Sequence, residues 1–166
     1  MSKVSPSSEL IALARSAARS HSLPPELVCA VIEQESSWDC WAMRYEPAFY
    51  DRYIAPRAGP GSGAPGAAHL IPPAPRARIS GDTEARARAF SWGLMQVMGQ
   101  VAREHGFAGD SLAALCDPAT GLGIGCAVLA AKMAAAGQDV AHALSLWNGG
   151  ANPNYPAEVM ARITRY

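Results

Sequence analysis

The chain has no net charge: its 166 residues carry 14 lysines and arginines against 14 aspartates and glutamates. That balance argues against a general nucleic-acid binder, which shows a basic excess. No continuous apolar run approaches the roughly 20 residues that span a bilayer, so stable membrane insertion is not expected. The first twenty residues, MSKVSPSSELIALARSAARS, hold no signal-peptide apolar core, because Glu9 and Arg15 interrupt it. The expectation is synthesis in the cytoplasm, or a mature form whose leader has been removed. Cys29, Cys40, Cys116 and Cys126 form no CxxC pair, and His21, His69, His105 and His142 show no ligand spacing. Neither a metal nor another cofactor is expected. Buried free thiols are the plain reading of the cysteines, with a Cys116–Cys126 disulfide left open. There is no convincing alternating strand and no internal repeat.

What the sequence does have is alanine. The hydrophobic fraction is 49%, and alanine-rich periodic segments favour helix. The length suits one domain over residues 1–166, mainly α. A first helix is expected over residues 5 to 20, capped by Ser5, with Leu10, Ile11, Leu13, Ala14, Ala17 and Ala18 as its apolar stripe. A second follows Pro24 and Pro25. Residues 55 to 75, APRAGPGSGAPGAAHLIPPAP, read as a proline- and glycine-rich surface loop. Ser80 to Asp82 offer caps for a short helix to Arg88, with Arg78, Arg86 and Arg88 on a solvated face. FSWGLMQ, residues 90 to 96, leads into a helix to about His105, and residues 107 to 116 form a short helical link. Asp117-Pro118 opens a further helix to Gly137, burying Leu122, Ile124, Val128, Leu129 and Met133. Asp139 caps the next, through Leu146, and Tyr155 to Arg165 make the last.

The most informative stretch is Leu27 to Asp39, LVCAVIEQESSWD. At about 100° per residue, Val28, Val31, Ile32 and Glu35 share one face, and Glu33 points almost the opposite way. Glu33 is expected in water and Glu35 against apolar surface. Desolvation raises the pKa of such a carboxyl, which is what a general acid near neutral pH requires. The aromatic-rich segment that follows, Trp38 to Tyr53, suits either core or a sugar-stacking cleft, with Arg44 and Glu46 expected to pair with other charges at the rim.

Three short motifs occur in a telling order: Glu35-Ser36 at a helix end, Gly93-Leu94-Met95-Gln96 at an expected helix start, and Trp147-Asn148-Gly149-Gly150 at a sharp break. With Asp117-Pro118 and Tyr155, they make the chain resemble the lytic transglycosylase (SLT domain) and goose-type lysozyme superfamily over roughly residues 8 to 163. Trp147 stands where that family usually has tyrosine, and Gly121 where many members have asparagine. The resemblance implies a lysozyme-like helical domain acting on the glycan strands of peptidoglycan. It implies cleavage of the MurNAc-β-1,4-GlcNAc bond, with Glu35 as general acid and then base, leaving 1,6-anhydroMurNAc ends. It also implies substrate contacts from Ser36, Met95, Gln96, Trp147, Asn148 and Tyr155. A hydrolytic muramidase would need a second carboxylate, for which Glu46, Asp51 and Glu84 are the candidates, with Asp39 behind them. A catalytically idle glycan-binding or virion module is the alternative of another class. The expected setting is a monomer working at the bacterial wall, a phage endolysin first among the settings considered.

Overall fold

The structure, a computed structural model, describes residues 6–55 and 80–166. Apart from Ala55, the proline- and glycine-rich loop lies outside the described residues, as do Ser5, His69 and Arg78.

Helix α1 (Ser8–Ser20) begins three residues later than the composition suggests. Ser7, not Ser5, is its cap, its hydroxyl accepting from the Leu10 N–H at 3.2 Å. Ala14 and Ala18 are fully buried on this helix, while Leu13 turns outward. Their lack of bulk lets α1 lie close against helix α2 (Pro25–Ser36). Every residue of α2 from Leu27 to Ile32 is buried. It is therefore not the one-sided helix expected; a helix that is apolar all round sits inside the fold. Glu33 departs from expectation with it. Its side chain is largely covered, paired with Arg165 and, at 3.9 Å, Arg162, and it accepts from the Tyr166 hydroxyl at 2.9 Å. These partners come from the far end of the chain, beyond the reach of local periodicity.

Two consecutive left-handed residues, Ser37 (φ 51) and Trp38 (φ 69), end α2 and redirect the chain into a small sheet. Strand β1 (Met43–Tyr45) is followed by a turn, α3 (Pro47–Phe49), that runs on into a π-helical turn over Tyr50–Ile54. Helix α4 (Gly81–Ala87) starts at the expected cap, Ser80, which accepts from the Thr83 N–H. Then β2 (Phe90–Trp92) pairs antiparallel with β1, Met43 opposite Trp92, and with β3 (Val97–Met98), Ser91 opposite Met98. The mainly α expectation holds, and the small sheet is what the sequence does not announce: strands of two or three residues show no alternation to read. Gly93-Leu94-Met95-Gln96 is the hairpin turn between β2 and β3, not a helix start; the helix, α5 (Gly99–Glu104), begins three residues further on. Gly93 (φ 67) must be glycine, since a Cβ there would lie 2.4 Å from the Leu115 carbonyl oxygen.

After a 3-10 turn (Leu112–Cys116) comes α6 (Pro118–Ala135), the longest helix among the described residues, capped as expected by Asp117, which accepts from the Thr120 N–H at 2.9 Å. In length and composition α6 could cross a membrane. Leu122, Cys126, Val128, Leu129 and Met133 bury it in the core, and Ile124 is half-covered. Gly121 presses on the Leu115 carbonyl, where a Cβ would come to 2.3 Å, so this chain has no room for a larger residue there. One turn on, the Met95 side chain lies over Gly125, and a Cβ on Gly125 would stand 2.4 Å from its Sδ. Helix α7 (Val140–Trp147), capped by Asp139, packs on α6, and α8 (Tyr155–Ile163) packs on α7 and α2.

All four cysteines are free thiols, and Cys29, Cys116 and Cys126 are buried. Burial pushes the Cys126 thiol up to about 12.

Candidate active site

Glu35 is the second-last residue of α2. Its Oε1 accepts two hydrogen bonds, from the Trp147 indole N–H at 3.0 Å and from the Tyr155 hydroxyl at 2.5 Å. Trp147 ends α7 and Tyr155 begins α8. The break between them thus delivers both donors to one oxygen. Gly149 and Gly150 are both left-handed (φ 67 and 74), and the Asn148 amide closes the turn by donating to the Asn152 carbonyl at 3.2 Å.

Burial raises the Glu35 pKa above that of an ordinary carboxyl. The bonds from Tyr155 and Trp147, and then the positive charge of Arg44, draw it partly back. The Tyr155 phenol is itself pushed upward by burial and by Glu35, so it remains an O–H donor across the working pH range. A neutral carboxyl that accepts twice on Oε1 carries its proton on Oε2.

Glu35 faces a cavity of about 260 Å³ between the sheet and the helices. Arg44, Glu46, Ser91 and Gln96 line it on the sheet side, and Val128, Lys132, Trp147 and Asn148 on the side of α6 and α7. Val97, Met98 and Val101 give it an apolar wall. The arrangement offers a proton donor beside a polar, partly enclosed space with an aromatic edge. Among the described residues, no three histidine, cysteine, aspartate or glutamate side chains converge to hold a metal.

Residues 12–160 match the family model of the transglycosylase SLT domain. The chain belongs to that family. Comparison with curated proteins and with solved structures gave no match. SLT membership makes this a lysozyme-like protein of the lytic transglycosylase type, with peptidoglycan as what it acts on.

Within this SLT domain the residues singled out from sequence separate into two groups. Gln96, Trp147 and Asn148 line the cavity beside Glu35. Ser36, Met95 and Tyr155 do not. Ser36 donates to the Leu94 carbonyl at 2.8 Å, tying the end of α2 to the hairpin turn. Met95 is buried against Gly125. Tyr155, 4% exposed, reaches the cavity only through Glu35. Gln96 is itself fully engaged: its amide donates to the carbonyls of Ala42 and Gly93, both at 2.9 Å, and accepts from Ser91 at 3.0 Å. It holds the left-handed turn (φ 47) in which it sits.

Of the carboxylates proposed as a second group, only Glu46 lines the cavity, and Arg44 holds it at 2.6 Å. Asp51 is exposed on the π-helical turn. Asp39 accepts from the Trp41 N–H. Glu84 is buried between Arg88 and Arg103, each at 2.9 Å, so it has no path to a water beside a sugar. Arg88 is 1% exposed, which corrects the solvated face expected of it. Tyr45, Phe49, Tyr50 and Tyr53 make ring contacts within their own group or with Phe90, Trp41 is exposed, and none of them lines the cavity. Sequence reasoning missed Lys132, whose signal was being the one charged residue within α6.

Proposed function

We propose that the protein is a peptidoglycan lytic transglycosylase that cleaves the MurNAc-β-1,4-GlcNAc bond, with Glu35 as its one catalytic carboxyl. The observation that carries this reading is the surroundings of Glu35: desolvated, facing the cavity, and held only by the neutral donors Trp147 and Tyr155.

The proton on Oε2 passes to the glycosidic oxygen as the C1–O bond breaks, and the GlcNAc leaves with a free 4-hydroxyl. Positive charge builds at C1 of the muramic sugar. Glu35 is now a carboxylate, and the Trp147 and Tyr155 hydrogen bonds and the Arg44 charge stabilise it. It then takes the proton from the C6 hydroxyl as that oxygen bonds to C1. The product is a 1,6-anhydro sugar, no water is consumed, and Glu35 is again an acid. One group suffices because burial favours its acid form and the two donors favour its base form.

A second reading, hydrolysis, is supported by Glu46, which shares the cavity. Its Oε1 is already engaged by the Arg44 guanidinium at 2.6 Å. Mass spectrometry of peptidoglycan digests decides between them. The expected result is muropeptides with 1,6-anhydro ends from the wild type and none from Glu35→Gln. Products heavier by one water would make the protein a muramidase and move attention to Glu46. Soluble fragments from neither protein would leave a glycan-binding module.

A further inference from the structure

Among the described residues, the cavity has one cation that the reaction above leaves unused. Lys132 lies in the last turn of α6, half-buried, and lines the cavity with Val128 one turn before it. A lysine near a helix C-terminus is favoured by the helix dipole, but the dipole does not choose a face. Ala131, Ala134 and Ala135 are exposed in that same turn, and any of them could have carried a solvated lysine.

The charges around the cavity do not cancel. Arg44 and Glu46 neutralise each other at 2.6 Å. Glu35 in its acid form is neutral, and of the two cations lining the cavity among the described residues only Arg44 acts on it. Lys132 makes no ion pair among the described residues. With Val128 one turn before it and Val101 also lining the cavity, it offers a single ammonium with apolar side chains near it. The matching ligand group is one carboxylate carried on a short arm bearing methyl groups.

The geometry points to Lys132 as a specificity-determining residue that binds a carboxylate on the 3-O-lactyl arm of the muramic sugar. This rests on peptidoglycan as the substrate. In that polymer the arm ends either in its own carboxylate or in a peptide stem that brings others, and both are the same chemistry to an ammonium.

The test measures binding in the Glu35→Gln background, where turnover does not interfere. Three tetrasaccharides serve as probes: GlcNAc–MurNAc repeats with stems, the same repeats with stems removed, and chitotetraose, which has no lactyl arm. Without further change, the protein is expected to prefer a carboxylate-bearing probe to chitotetraose. Adding Lys132→Met or Lys132→Gln should cut that preference about tenfold, and Lys132→Arg should restore most of it. A loss confined to the stem-bearing probe assigns the stem carboxylate, and a loss on the stripped probe assigns the lactyl carboxylate. An equal preference before and after the Lys132 change overturns the inference, as does the absence of any preference at the outset. Failure of the wild type to solubilise peptidoglycan would instead count against the transglycosylase reading, independently of these affinities.

Discussion

Glu35 and Glu84 are both carboxylates withdrawn from water, and their partners differ in kind. Glu84 lies between two guanidinium groups, with Arg88 and Arg103 bonded to it and the Arg103 fork also bonding the Phe107 and Gly109 carbonyls. Its charge is compensated, and it joins α4 to α5 and the chain beyond. Glu35 receives only an indole and a phenol, which stabilise an anion without cancelling it. The first arrangement fixes a charge in place; the second leaves a carboxyl able to hold its proton and to release it. Burial alone does not distinguish a structural acid from a reactive one, but the charge of its partners does.

Exchanging the two outcomes would break this comparison. Glu35→Gln is expected to lower wall solubilisation by about 10²–10⁴-fold, the usual worth of a general acid. Stability should move the other way. Because the folded-state pKa of Glu35 is raised, its contribution to stability is fully present below the unfolded value and is lost as pH rises through the folded value. The glutamine variant, freed of that loss, should melt at or above the wild type at neutral pH, with the gap closing in acid. Glu84→Gln should do the reverse. Stranding two buried arginines costs about 3–5 kcal/mol, or roughly 10 °C in melting temperature for a chain of this size, readable by denaturant titration. An unfolded Glu35→Gln beside a stable, inactive Glu84→Gln would end the argument.

Smaller changes sharpen it. Tyr155→Phe removes the shorter of the two bonds to Glu35, so the carboxylate loses support and the pKa climbs further. Turnover should fall about tenfold, and the alkaline limb of the pH–rate profile should move to higher pH. Trp147→Phe should shift the limb in the same direction by less, because its bond is longer and draws the pKa down less than that of Tyr155. A limb that moves toward acid in either variant would mean that these donors do not stabilise the carboxylate. The smallest effect is expected of Ser36→Ala, about 1 kcal/mol of stability for one lost hydrogen bond to the Leu94 carbonyl, with little change in the profile.

The features that the sequence discloses are the local ones. Asp117 and Asp139 cap the helices they precede because a cap acts within three residues. The glycines of Trp147-Asn148-Gly149-Gly150 are left-handed because that break admits little else. Ser80 caps its short helix for the same reason as the two aspartates. The failures have a common cause in distance. Glu33 is covered by Arg162, Arg165 and Tyr166, and Glu84 is claimed by an arginine nineteen residues on. The separation of Met95 from Gln96 depends on the hairpin turn, where neighbours in sequence face a packed helix and an open cavity respectively.

The contact of Met95 with Gly125 has a consequence for descent. The methionine fills the space that a side chain at position 125 would need, so the two positions cannot drift separately. A lineage acquiring alanine at 125 first meets a clash, and one shortening Met95 first inherits a void. Homologues should therefore show paired exchanges at 95 and 125, a larger residue at one accompanied by a smaller one at the other, and single intermediates should be rare.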